Sequence, residues 1–442
     1  MKRIYIIIGL IVCLLLICNS CSNSSAQNKA EYIEKLLGST DWEYTTSSDE
    51  PLDNYVSVRK PFQYYEGSIY FFNGNSSVFL NENADETVTL KRLNVETGNI
   101  TNVCPDPLCT HTTSSCPFSG SIDSFYIDDS NIVYIRSYVQ QMQNKKVGVR
   151  QFCSYDLKDM KFTAHKTEEL TSGITYAQYS KMLYHSGNCY YYDYIFEETT
   201  QKYRWVFNRL NLKTNQISMI GDEEFYDTGE GNPFVEEFLF IINDRIYFKS
   251  VNTIFSTSTD LTDKQIHAEG TFMSNNIYTN GKYIYYGIPD GNDIIEKIYR
   301  LDLDGKNNTD LGIQTTKDWF ITSQYIYYFR PNYFEMPTTT QSGSVIFFND
   351  AMCRCDHDGK NNEIVFYADH AKENETNKYF QLSSNIVVGN YIYSMYYFVE
   401  DSDKNNLVDD GEFYQSTNGY YDFNIIRINT KTSNVEYLYI NQ

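Results

Sequence analysis

Apolar and polar residues alternate with a period of two in short runs along most of the chain, and the same run recurs. A turn residue introduces a strand-length segment that ends in paired aromatics. It appears as Gly67-Ser-Ile-Tyr-Phe-Phe72, Asn131-Ile-Val-Tyr-Ile-Arg136, Asn188-Cys-Tyr-Tyr-Tyr-Asp193 and Asp244-Arg-Ile-Tyr-Phe-Lys249. It returns as Lys282-Tyr-Ile-Tyr-Tyr-Gly287, Gln324-Tyr-Ile-Tyr-Tyr-Phe329 and Asn390-Tyr-Ile-Tyr-Ser-Met395. A second run follows each copy, with the form apolar-x-Arg-apolar-Asp/Asn-apolar. Leu90-Lys-Arg-Leu-Asn-Val95, Phe207-Asn-Arg-Leu-Asn-Leu212 and Ile298-Tyr-Arg-Leu-Asp-Leu303 are clear examples. Met352-Cys-Arg-Cys-Asp-His357 and Ile425-Ile-Arg-Ile-Asn-Thr430 also fit. Phe152-Cys-Ser-Tyr-Asp-Leu157 lacks the Arg, and Ile254-Phe-Ser-Thr-Ser-Thr259 is the most degraded copy. Period-two alternation rich in β-branched and aromatic residues is the signature of strands.

Seven antiparallel units repeating every 38 to 66 residues point to an all-β chain folded as a β-propeller, one blade per unit. A lone blade cannot bury both faces, so the blades must stack around an axis and close a ring. Long irregular flanks on the first and last units leave six or eight blades open beside seven. Two stacked β-sandwiches fit less well, because the repeats continue across any midpoint without a linker. The expected organisation is a targeting segment over 1–20, a tether and lead-in over 21–60, and a single propeller over 61–442.

Lys297-Ile-Tyr-Arg-Leu-Asp-Leu-Asp-Gly-Lys-Asn-Asn308 and Met352-Cys-Arg-Cys-Asp-His-Asp-Gly-Lys-Asn-Asn362 resemble the strand-and-turn unit of YWTD-type and TolB-like propellers. In those families an Asp-Gly turn closes the hairpin, the place that Asp304-Gly305 and Asp358-Gly359 would take here. The Tyr-Trp-Thr-Asp tetrapeptide itself is absent. The chain is also similar to propeller-like lipoproteins of anaerobic Firmicutes that form a domain-of-unknown-function family. Their blades accompany a Cys-rich Asp-Pro-Leu-Cys-x-His segment. This resemblance covers about residues 60–440 and implies a fold, without implying a settled reaction.

The N-terminus reads as an address. Lys2 and Arg3 precede an apolar run from Ile4 to Ile17, short for a membrane span of roughly 20 residues. Cys18-Asn-Ser-Cys21 and a polar stretch to Lys29 follow. The arrangement resembles a bacterial lipoprotein signal, with Cys21 the residue expected to carry lipid. An uncleaved signal anchor is the alternative. Either places the rest of the chain on the extracytoplasmic face of the cell membrane. The net charge of −21 argues against nucleic acid, whose affinity rests on Lys and Arg at phosphates. It also argues against a basic face on anionic lipid.

Two stretches carry candidate metal chemistry. On the connection between the first two units stand Cys104, Cys109, His111 and Cys116, three thiols and an imidazole within 13 residues. That is the donor set of a closed structural zinc site, although C-x4-C-x-H-x4-C matches no common finger. A disulfide among the three cysteines is the alternative outside the cytoplasm. Cys153, Cys353 and Cys355 fall on repeat strands and are expected to pack as small hydrophobes. In the seventh unit, Asp401, Asp403, Asn405, Leu407, Asp409 and Glu412 occupy positions 1, 3, 5, 7, 9 and 12 of a calcium-type loop. Leu407 would offer its carbonyl and Glu412 both carboxylate oxygens. The Gly usual at position 6 is Asn406, which tolerates left-handed geometry, and a solvated acidic hairpin tip is the alternative.

Gly-x-Ser-x-Gly, His-Glu-x-x-His and a phosphate-cradling Gly-rich Lys loop are all absent. His357 takes the place of Leu303 in its repeat and reads as a blade residue. The sequence thus points to a monomeric, membrane-anchored surface lipoprotein whose propeller binds or scaffolds a protein or carbohydrate. Tyr-rich loops would supply its contact surface. An extracytoplasmic propeller enzyme acting on carbohydrate or peptide is the alternative.

Overall fold

The computed structural model describes residues 56–57, 62–73, 89–104, 106, 109, 116–120, 122, 124–142, 145–169, 182–197, 202–220, 236–250, 253–269, 277–290, 292–316, 319–331, 349–367, 378–400 and 424–438. They form seven antiparallel sheets, each of four consecutive strands, over 62–102, 125–169, 182–220, 236–269, 277–316, 320–367 and 378–438. These are blades 1 to 7 of a β-propeller. Among the described residues no helix is long and apolar enough to cross a membrane.

Seven hydrophobic clusters fill seven seams. Six join blades that follow each other in the chain. The seventh packs Ile386, Tyr393, Met395 and Ile425 of blade 7 on Phe62, Ile69, Phe71 and Leu93 of blade 1, which closes the ring. The first strands of neighbouring blades approach one another, so they lie nearest the axis. Each blade takes its four strands from one stretch of chain, and among the described residues no strand crosses the closing seam. The lead-in instead contributes Val56–Ser57, a two-residue strand paired antiparallel with the axial edge of blade 4 at Phe240 and Ile241.

The register explains the repeat. The repeat Arg stands directly across the sheet from a Tyr of the second strand in five blades: Tyr70↔Arg92, Tyr190↔Arg209, Tyr285↔Arg300, Tyr327↔Arg354 and Tyr393↔Arg427. On the diagonal, the guanidinium lies over a second ring, 4.4 Å from Tyr283, 4.6 Å from Tyr325 and 5.3 Å from Tyr391. The Arg also reaches the next blade. Arg300 Nη1 donates to His357 O (2.8 Å) and pairs with the Asp358 carboxylate, and Arg427 Nη1 donates to Val95 O (2.9 Å). His357 and Val95 hold the same repeat position, so one latch recurs at two seams.

Two sequence-level alignments shift by one residue. Val133, not Tyr134, faces Ser154 in blade 2, and Tyr190, not Tyr191, faces Arg209 in blade 3. Aromatics at both parities of these strands blur which face is which, and a one-residue slip exchanges the faces. The degraded copy in blade 4 is nonetheless a full third strand, Thr253–Ser258. In blades 2 and 4 the Arg position is Ser154 or Ser256, and each serine bonds the Nε2 of a histidine on the outermost strand, His165 or His267, at 2.8 Å. Blade 4 takes its guanidinium from the facing strand: Arg245 Nε donates to Ser256 Oγ at 2.9 Å and Arg245 pairs with Asp263 at 2.7 Å.

These histidines, His267 buried and His165 and His357 half-buried, tie stability to pH. Burial holds His165, His267 and His357 below the ordinary imidazole value of 6.5. Nδ1 of His267 and of His357 is buried with no hydrogen-bond partner among the described residues, which disfavours a second proton there. Each ring is neutral when folded, while the unfolded chain takes up protons near 6.5. Stability is therefore full above that value and falls as pH drops toward the folded values. The urea midpoint should be lower at pH 5.5 than at pH 7.5, and His267→Gln should flatten the difference; equal wild-type midpoints would refute it.

Candidate metal centre

The outermost strand of blade 1 ends at Asn102 and the first strand of blade 2 begins at Phe125. On the connection between them the sulfurs of Cys104, Cys109 and Cys116 all lie within 4.8 Å of one another, with Cys104 Sγ to Cys116 Sγ at 4.0 Å. Among the described residues, no other three metal-ligating side chains come so close together.

Blade 2 holds this loop in place. Tyr134 donates its hydroxyl to Pro117 O at 2.7 Å. Arg136, 3% exposed, donates to Cys116 O and, at 3.3 Å, to Pro117 O. Gln151 Oε1 orients that guanidinium by accepting from its Nε at 2.9 Å. The Ser119 backbone N–H and hydroxyl both donate to Cys116 O, at 3.3 and 3.0 Å. Phe118 is fully buried beside the rings of Tyr134 (5.7 Å) and Tyr155 (4.9 Å), so it anchors the turn that presents Cys116.

A backbone N–H two residues on shapes the surroundings of two of the sulfurs. The Phe118 backbone N–H bonds the Cys116 sulfur and that of Asp106 bonds the Cys104 sulfur. Both bonds favour thiolate, but desolvation outweighs them. Burial pushes Cys116 up to about 12 and raises Cys104 as well. Without a cation, these two sulfurs are protonated at neutral pH. The arrangement can do two things: gather a soft cation against deprotonating thiols, or oxidise in pairs.

All seven described cysteines stand as thiols. Cys153, Cys353 and Cys355 are buried on repeat strands, as core packing requires, and Cys189 joins them. His111 lies outside the described residues, as do Cys21 and the calcium-type set Asp401, Asp403, Asn405, Leu407, Asp409 and Glu412. Cysteine spacing revealed the three sulfurs. The residues that hold them, Tyr134, Arg136 and Gln151, come from the next blade, and their part is invisible until the sheets pair.

No family model matches the chain, and no curated protein matches it. Solved structures do. The chain is similar to an acylaminoacyl peptidase of Pyrococcus horikoshii at 9% identity and a TM-score of 0.45, over 87% of this chain and 52% of that one. It thus spans about half the length of that peptidase. The β-propeller domain of the Trilobed protease from Pyrococcus furiosus is 11% identical, with a TM-score of 0.34 over 71% of this chain and 91% of the domain. TolB from Acinetobacter baumannii is 9% identical, with a TM-score of 0.28 over 70% and 69%.

Proposed function

We propose that the chain is an extracytoplasmic, lipid-anchored binding module whose ligand, a protein or a carbohydrate, docks on one face of the ring. The inequality of the two faces carries this reading. On one face the blades end in short turns that lock to each other: Glu66 with Lys158 at 3.9 Å, Tyr184 with Asp128 at 2.7 Å, and His185 with Asp244 at 2.8 Å. The strand ends on the opposite face are joined by the long connections, 74–88, 103–124, 221–235, 332–348 and 401–423. Those segments carry many of the aromatics outside the blades, including Tyr226, Tyr333, Phe334, Tyr414, Tyr420 and Tyr421. Tyrosine offers large, amphipathic contact area at low entropic cost.

Binding is favoured over catalysis by how the four described histidines are used. His165 and His267 serve inside blades, His357 at a seam, and His185 on the face of short turns.

The test uses purified protein against a glycan array and a panel of extracellular proteins and peptides, with a Tyr414→Ser, Tyr420→Ser, Tyr421→Ser variant alongside. Saturable binding to one probe class, weakened by roughly tenfold or more in the variant, is expected for lost hot-spot tyrosines. Turnover of a glycan or peptide without stable binding would overturn the reading. Anchorage has its own measurement: Cys21→Ala should leave the membrane fraction or stay unprocessed.

A further inference from the structure

The cysteine loop, 103–124, is one of the long connections of the proposed binding face, and its geometry asks for a ligand of its own. We propose that Cys104, Cys109 and Cys116 bind one thiophilic divalent cation, zinc in the first instance, as three thiolates, clamping the seam between blades 1 and 2.

Three observations carry this. A zinc–thiolate bond of about 2.3 Å gives sulfur–sulfur edges of about 3.8 Å in a tetrahedron. Sulfurs that all lie within 4.8 Å, one pair at 4.0 Å, need only a small contraction to reach that edge. A disulfide would need one pair to close to about 2.05 Å and would leave the third sulfur without a partner. The backbone N–H groups of Asp106 and Phe118 each bond a ligand sulfur, so charge that collects on Cys104 and Cys116 meets a donor already in place. The third observation is charge. One divalent cation and three thiols give a trithiolate complex of net charge −1 and release three protons. The Arg136 guanidinium donates to Cys116 O, so a buried cation is held at the backbone of one ligand residue.

The three ligands bracket the seam. Cys104 follows the outermost strand of blade 1, Cys116 precedes the first strand of blade 2, and both pack in the cluster that joins the blades. The metal would therefore reinforce a seam that, among the described residues, is held by the packed cluster and by the Gln63 Nε2 to Phe125 O hydrogen bond at 3.3 Å. The proposal needs no fourth protein ligand; water completes a tetrahedron.

The test is metal content, spectroscopy and stability on the purified protein. One zinc per chain is expected, removable by chelator, with proton release on return of zinc. Cobalt(II) added to the chelated protein should give one equivalent of a thiolate-to-cobalt charge-transfer band. Cys109→Ser alters a half-buried ligand and should weaken zinc binding about a hundredfold or more. It should also abolish the zinc-dependent rise in melting temperature while the metal-free melting temperature stays near that of wild type. Should that variant fail to fold, alkylating the chelated wild type must block the cobalt band. The proposal is overturned if the protein isolated without reductant carries a disulfide between two of these cysteines. Substoichiometric zinc after reconstitution, or zinc and cobalt binding indifferent to Cys109→Ser or to alkylation, overturns it equally.

Discussion

Arg427→Met is expected to destabilise the ring by about 3 kcal/mol, the scale for breaking one partner out of a buried ion pair. Arg427 is 1% exposed, pairs with Glu436 on the neighbouring strand through Nε at 2.9 Å, and sends Nη1 to Val95 O across the closing seam. Methionine matches much of its volume but leaves the Glu436 carboxylate, whose side chain is 21% exposed, without its cation. Val95 O also loses a donor. Arg300→Met, at the same repeat position, should cost about 1 kcal/mol or less, because its carboxylate partner, Asp358, is 61% exposed and well screened. Urea unfolding of the two variants decides the matter. Equal losses would mean that the closing seam depends on apolar packing and the latch adds little.

Gly359→Ala should be nearly as damaging, at about 3 kcal/mol, and Gly312→Ala should cost about 1 kcal/mol. Both glycines have positive φ, +74° and +69°, so both variants suffer the left-handed penalty. They differ in what a Cβ meets. At Gly359 it would sit 2.5 Å from the backbone oxygen of Leu311 in the adjacent blade, where a main chain cannot step aside. At Gly312 it meets nothing within 4 Å. The difference between the two unfolding free energies isolates the blade 5–blade 6 contact from the conformational term. Indistinguishable variants would show that the seam yields to an added methyl group.

The sequence foretold the architecture because its strongest signal is also the physics of the fold. Tyr and Arg recur at a fixed parity, and in the sheet they stand opposite each other. The Asp-Gly dipeptides were legible as turns; that Gly359 also meets the next blade was not, since that contact depends on how sheets stack. The paired Ser and His of blades 2 and 4 were hidden for a related reason. His165 and His267 sit eleven residues beyond their serines on the outermost strand, which shows little alternation. Blade 3 went astray by one residue because Tyr190, Tyr191 and Tyr192 put an aromatic on both faces. The three sulfurs were visible as a spacing, while their mutual distance and the Arg136 brace required the blades to meet. Val56–Ser57 has no pattern to read at all.

That short strand sets how the molecule would carry load. The chain joins the ring at the axial edge of blade 4, continues to the first strand of blade 1, and ends its described course on the outermost strand of blade 7. Tension applied upstream would enter at the hub and not at the rim. It would first unzip a two-residue ladder and then reach the seam between blades 7 and 1, which no described strand spans. A ring cut in this way resembles a split washer: stiff against compression along its axis, and open to springing apart where its ends meet. Arg427 then acts as the hasp across the gap.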